Sequence, residues 1–141
     1  MSPLYSTRVT AIGGRGGNVR SEDGLLDLPL ALPVTMGGKG GATNPEQLFA
    51  AGYAACFETA VIYVTRNIAN RVSDDDIVVA AEVGLSPNGS GGFVLSVALN
   101  VAITGLDQVS AEEIVREAHA TCPYSNAVRG NIDVVINVTT N

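Results

Sequence analysis

Two cysteines are the residues best suited to chemistry in this chain of 141 residues: Cys56, in Gly52-Tyr53-Ala54-Ala55-Cys56-Phe57, and Cys122, in His119-Ala120-Thr121-Cys122-Pro123-Tyr124-Ser125. A thiol attacks only as thiolate, which a nearby cation favours, and a second thiol within reach lets a sulfenic acid close into a disulfide. Taken separately, each cysteine can equally be a small buried hydrophobe. Of the eight basic residues, Arg15 and Lys39 each stand between two glycine pairs. Arg15 is the stronger candidate: a guanidinium stays charged at any working pH, and it can hold a carboxylate with one edge while presenting another to a thiolate or a peroxide oxygen. The alternative is an exposed loop arginine without a role. Lys39 reads as part of a solvated loop.

Other motifs carry less. Gly38-Lys39-Gly40 lacks the spacing and the following Ser or Thr of a phosphate-binding loop. His119, the only histidine, precedes Cys122 by three residues and can be its base or simply a structural ring. Glu46 suits the first turn of a helix, where its charge favours the helix dipole. Asn88-Gly89-Ser90 and Asn137-Val138-Thr139 match the glycosylation pattern, but the first is better explained as a turn and the second as a strand.

The elements that must position these groups can be read from hydrophobic period and punctuation. Leu4 to Ile12, Asn18 to Ser21 and Leu25 to Leu28, separated by Gly13–Asn18 and Glu22-Asp23-Gly24, predict a short antiparallel meander. Pro29 to Thr43 is too rich in Pro and Gly for either regular element and predicts a long loop. Asn44-Pro45-Glu46-Gln47 has the order of an N-cap, a first-turn proline, an acid and a capping-box glutamine. The helix that follows, to about Ala69, is apolar all round, so it calls for cover by a sheet, another helix or a second subunit. Ile77–Leu85 and Phe93–Ile103 alternate with period two about a Pro87–Gly92 hairpin. Ser110-Ala111-Glu112-Glu113 predicts a helix start, with Ile114, Val115, Ala118 and Cys122 on its inner face and Pro123 as its stop. Ile132, Val134, Ile136 and Val138 predict a last strand.

The bulk numbers exclude several classes. With 46% hydrophobic residues the chain can build a real core without disulfides. Neither a leader pattern nor an uninterrupted apolar stretch of about 20 residues is visible, and a soluble cytoplasmic protein without a membrane partner is expected. The spacing of the cysteines fits no secreted disulfide framework and no zinc site, which leaves an inert or a redox-active pair in a reducing compartment. A net charge of −6 without a basic tract argues against nucleic acid.

The joint pattern is more specific than any of its parts. Gly13-Gly14-Arg15, the run Gly37–Phe57 and Cys122-Pro123-Tyr124-Ser125-Asn126-Ala127 with Arg129-Gly130-Asn131 closely resemble the organic hydroperoxide resistance branch of the Ohr/OsmC family, over nearly the whole chain, 1–141, as a single domain. The resemblance implies an α+β fold in which strongly bent antiparallel sheets wrap central hydrophobic helices, in an intertwined homodimer; the ten positions from Glu46 to Cys56, about 15 Å on one continuous helix, further predict an active site shared between the two chains at the interface. It implies a thiol peroxidase of organic hydroperoxides, with Cys56 peroxidatic, Cys122 resolving, Arg15 binding thiolate and peroxide, and Glu46 orienting Arg15. It also implies re-reduction by a dithiol such as the dihydrolipoyl group of a lipoylated protein, and no cofactor or metal. Phe49, Tyr53, Phe57 and Tyr124, with Leu32 and Met36 from the loop, can supply an apolar substrate lining. Two other readings stand beside it: a sister OsmC-type peroxidase with a different peroxide preference, and a non-catalytic binding protein whose cysteines only pack.

Overall fold

The structure is a computed structural model that describes residues 1–66, 68 and 72–141. The chain divides into two compact units, Met1–Leu48 and Phe49–Asn141.

The first unit is built on a three-stranded antiparallel meander, β1 (Val9–Ile12), β2 (Asn18–Ser21) and β3 (Asp27–Pro29), in the order β1-β2-β3. The expected first strand is shorter than its composition, because Val9 pairs with Ser21 and β2 ends there. Ser21 instead serves the turn: its hydroxyl donates to Asp23 Oδ1 at 2.6 Å and accepts from the Leu26 N–H at 3.0 Å. The Pro29–Thr43 segment is a loop closed on itself, with a single 3₁₀ turn at Val34–Met36 and a bridge between Leu30 and Thr43.

Helix α1 (Pro45–Thr65) starts where the capping signals place it. Asn44 Oδ1 accepts from the Gln47 N–H at 2.9 Å. The Gln47 side chain does not close a capping box; it takes a hydrogen bond from the Thr43 hydroxyl at 2.7 Å. The expected end at Ala69 lies outside the described residues. By length and composition alone α1 could cross a membrane, but its Tyr53, Phe57, Ala60, Val61 and Val64 belong to the buried core of the second unit. Full burial of a side chain such as Phe57 contributes about 1.5–3 kcal/mol. The helix is not enclosed all round: Ala51, Ala55, Thr59 and Tyr63 remain exposed, because the second unit covers only one side.

In the second unit β4 (Ile77–Pro87) and β5 (Phe93–Ile103) form the expected hairpin, in register from Ile77 opposite Ile103 to Pro87 opposite Phe93. Val97, Leu99, Val101 and Ile103 face the core, whereas Phe93 near the hairpin end is exposed. Helix α2 (Gln108–Thr121) begins three residues earlier than the Ser110 box implies. Asp107 is the N-cap, its carboxylate accepting from the Ser110 N–H at 3.2 Å, and Ser110 is thereby the third helical residue. Pro123 stops α2 and, being tolerated at a first helical position, opens a second helix α3 (Pro123–Val128). The last strand, β6 (Val135–Thr140), joins β5 in parallel. This sheet is therefore mixed where an antiparallel one was expected, since the chain returns through α2 and α3 and not through a hairpin.

Candidate active site

Arg15 is held out of the meander by glycines. Gly13 and Gly14 take the left-handed conformation, and a Cβ on Gly17 would fall 1.7 Å from the Ile12 carbonyl oxygen, so the turn around Arg15 closes only with glycine there. Its guanidinium meets Glu46 through both terminal nitrogens, Nη1 to Oε2 at 2.9 Å and Nη2 to Oε1. The fork-to-fork geometry fixes the orientation of the guanidinium. That hydrogen bonding holds the Glu46 carboxyl below its usual range and raises Arg15, so both stay charged.

The two thiols are brought together in the second unit. Cys56 is half-buried on α1 and Cys122 is buried at the junction where it ends α2 and caps α3. Both are free thiols. Burial first, then the neighbouring Cys122 thiol, pushes Cys56 up, while the Tyr124 N–H opposes this by donating to its sulfur. Among the described residues no cation acts on Cys56, although thiolate chemistry calls for one.

Aromatic rings pack beside the thiols. Tyr53 and Tyr124 have centroids 5.6 Å apart, and Phe49 meets both edge-on at 6.2 and 6.1 Å. Tyr53 and Phe57 are fully buried, whereas Phe49 and Tyr124 keep exposed surface. Met36, in the first unit, is exposed. Gly52, in mid-helix, does not break α1. A Cβ there would lie 2.3 Å from Tyr124 Oη and 2.9 Å from Cζ, so the glycine is the slot that admits the tyrosine ring.

Sequence reasoning missed Ser125. Its hydroxyl lies 2.7 Å from Tyr53 Oη and 2.8 Å from His119 Nδ1, fully buried. The Tyr53 partner is 72 positions away, and no local pattern carries such a pairing. His119 therefore turns its Nδ1 to Ser125, and burial together with the charge of Arg129 holds the ring below its usual range, so it is neutral near pH 7. Burial likewise pushes the Tyr53 phenol up.

A family model described as OsmC-like protein matches residues 38–137. The organic hydroperoxide resistance protein of Xanthomonas axonopodis pv. citri is 46% identical over 138 residues, covering 94% of this chain and 93% of its own length. The chain belongs to the OsmC-like family, in its organic hydroperoxide resistance branch. Two solved structures of that branch are similar throughout. The protein from Legionella pneumophila is 52% identical with a TM-score of 0.91, over 98% of this chain and 99% of its own. The one from Elizabethkingia anophelis is 42% identical with a TM-score of 0.93, over the whole of both chains. The α+β architecture expected from the sequence is the one these structures share.

Proposed function

We propose that the protein is a cytoplasmic, cysteine-based peroxidase that reduces organic hydroperoxides, fatty-acid hydroperoxides included, to alcohols, with residues 1–141 working as one domain. The observation that carries this reading is the proximity of two free thiols, Cys56 with some access to solvent and Cys122 buried behind it, in a chain that also builds a fixed guanidinium at Arg15. In the first step the Cys56 thiolate attacks one peroxide oxygen; the O–O bond breaks, the alkoxide leaves and takes a proton as alcohol, and Cys56 is left as sulfenic acid. Arg15, oriented by Glu46, favours the thiolate and the charge developing on the leaving oxygen. Cys122 then condenses with the sulfenic acid, releasing water and forming the Cys56–Cys122 disulfide. An external dithiol, of which a dihydrolipoyl group is the expected kind, restores both thiols by exchange.

The cation reaches the sulfur from a second copy of the chain in this reading. Glu46 and Cys56 lie ten residues apart on the uninterrupted α1, which is about 15 Å of helix axis. A homodimer in which Arg15 and Glu46 of one chain meet the thiols of the other satisfies the need for a cation at Cys56. It also covers the exposed side of α1 and the exposed apolar residues of the meander, such as Val9 and Ile12. Phe49 and Tyr124, backed by Tyr53 and Phe57, offer the apolar wall that a hydrocarbon chain needs, with Met36 of the loop as a further lining residue.

Stopped-flow oxidation with cumene, fatty-acid and hydrogen peroxides tests the reading. Each buried methylene of substrate contributes up to about 0.8 kcal/mol, so three give more than a tenfold preference. Cys122→Ser should complete one turnover and leave a trappable sulfenic acid on Cys56, while Cys56→Ser completes none. Two thiols still free after one equivalent of organic peroxide would end the proposal.

A further inference from the structure

The Ser125 hydroxyl makes its two hydrogen bonds to residues in equivalent places. Tyr53 lies three residues before Cys56 on α1, and His119, in the last turn of α2, lies three residues before Cys122. Residues three apart on a helix share a face, so each partner sits on the turn that presents its cysteine. One oxygen thus ties together the two turns that carry the sulfurs. It does so from α3, the helix that Cys122 itself caps.

We propose that Ser125 is a positioning residue that sets the approach of Cys122 to Cys56, and so governs closure of the disulfide but not attack on the peroxide. The inference rests on the thiol cycle proposed above. In closure the Cys122 sulfur adds to the sulfenic sulfur of Cys56; the S–S bond forms, the S–O bond breaks, and the thiol proton leaves with the hydroxide as water. Both reactants belong to the protein, so the rate depends on how often they meet in line, and a disulfide tolerates only a narrow range of backbone separations. Attack on the peroxide uses the Cys56 sulfur, the Arg15 charge and the apolar wall, and asks for no approach by Cys122. Removing the hydroxyl also strands a fully buried phenol oxygen on Tyr53, which loosens the α1 turn at the same time.

The test separates the two steps in the intact protein. Stopped-flow with cumene hydroperoxide reads attack as appearance of sulfenic acid under a trapping reagent, and rapid quench with mass spectrometry reads closure as appearance of the disulfide. Ser125→Ala should leave attack within about twofold and slow closure by about five- to tenfold, the scale of one or two buried hydrogen bonds. His119→Leu, at a half-buried position, should slow closure in the same way with Ser125 in place. His119→Asn, whose amide falls near the position of Nδ1, should recover most of it. If Ser125→Ala does not fold, the two His119 variants decide the matter. Closure at the wild-type rate, or attack and closure slowed alike, overturns the inference while leaving the thiol cycle intact. A wild-type protein that forms no Cys56–Cys122 disulfide overturns both.

Discussion

Replacing Gly52 by alanine sets two opposing effects against each other, and the structure decides which wins. Alanine is favoured over glycine inside a helix by about 1 kcal/mol. Against that, the new methyl would lie 2.3, 2.9 and 3.1 Å from Oη, Cζ and Cε2 of Tyr124. Three ring-end atoms cannot be relieved by rotating a hydroxyl, so the whole ring must swing from its packing on Tyr53 and Phe49. Overpacking of this kind costs about 1–3 kcal/mol. The expected net effect is a loss of about 0–2 kcal/mol, or a Tm lowered by up to about 8 °C for a chain of this size. The sharper quantity is the coupling. In a Tyr124→Ala background the clash is gone and the same substitution should stabilise by about 1 kcal/mol, so a double-mutant cycle should give a coupling of about 1–3 kcal/mol. Urea unfolding at one fixed chain concentration measures it. A Gly52→Ala change that adds independently, within about 0.5 kcal/mol, in both backgrounds would show that Gly52 is not the slot for Tyr124.

The other expectations concern charge and assembly. Because Arg15 holds the Glu46 carboxyl low, the stabilisation from that pair is full above the ordinary carboxylate pKa of about 4.3 and is lost as pH falls through the lowered value. Urea midpoints followed downward from pH 5 should therefore fall more steeply for wild type than for Glu46→Gln, by on the order of 0.5–1 kcal/mol since Arg15 is partly solvated; parallel curves refute this. Arg15→Ala should raise the pH midpoint of Cys56 alkylation in a Cys122→Ser background, and an unmoved midpoint removes Arg15 from the site. Defined heterodimers of an Arg15→Ala chain with a Cys56→Ser chain should regain one working site per pair; heterodimers as inactive as their parents place the whole site in a single chain.

What the sequence disclosed depended on the range of the interaction. Period-two patterning settled which residues of Ile77–Leu85 and Leu95–Ile103 face inward, because alternation is a property of each strand alone, though it did not show that Phe93 at the hairpin end is exposed. The N-cap at Asn44 was equally local. The start of α2 was misplaced because Asp107 and Ser110 both satisfy the cap preference, and only the hydrogen bond to the Ser110 N–H shows which one serves. The parallel pairing of β6 was invisible, since alternation says nothing of a strand's direction. The role of Gly52 is likewise not local, since it lies in the Tyr124 ring that occupies the place of the missing side chain. Arg15, Glu46, Cys56 and Cys122 drew notice as residue types, but the Arg15–Glu46 fork and the nearness of the thiols come from tertiary contacts. The Tyr53–Ser125–His119 bonds had no sequence signature at all.

The parallel pairing of β5 with β6 also bears on the order in which the molecule assembles. The hairpin between β4 and β5 closes over residues 88–92, whereas the pairing of β5 with β6 must close over residues 104–134, a loop about six times longer. The extra closure entropy is about 1.6 kcal/mol, so the hairpin is the cheaper nucleus and the third strand docks later. Cys122 lies within the longer loop, while Cys56 precedes the hairpin. The contact between the two sulfurs spans the hairpin and part of that longer loop, so on the thiol cycle proposed above a newly made chain would carry Cys56 before its resolving partner is in place.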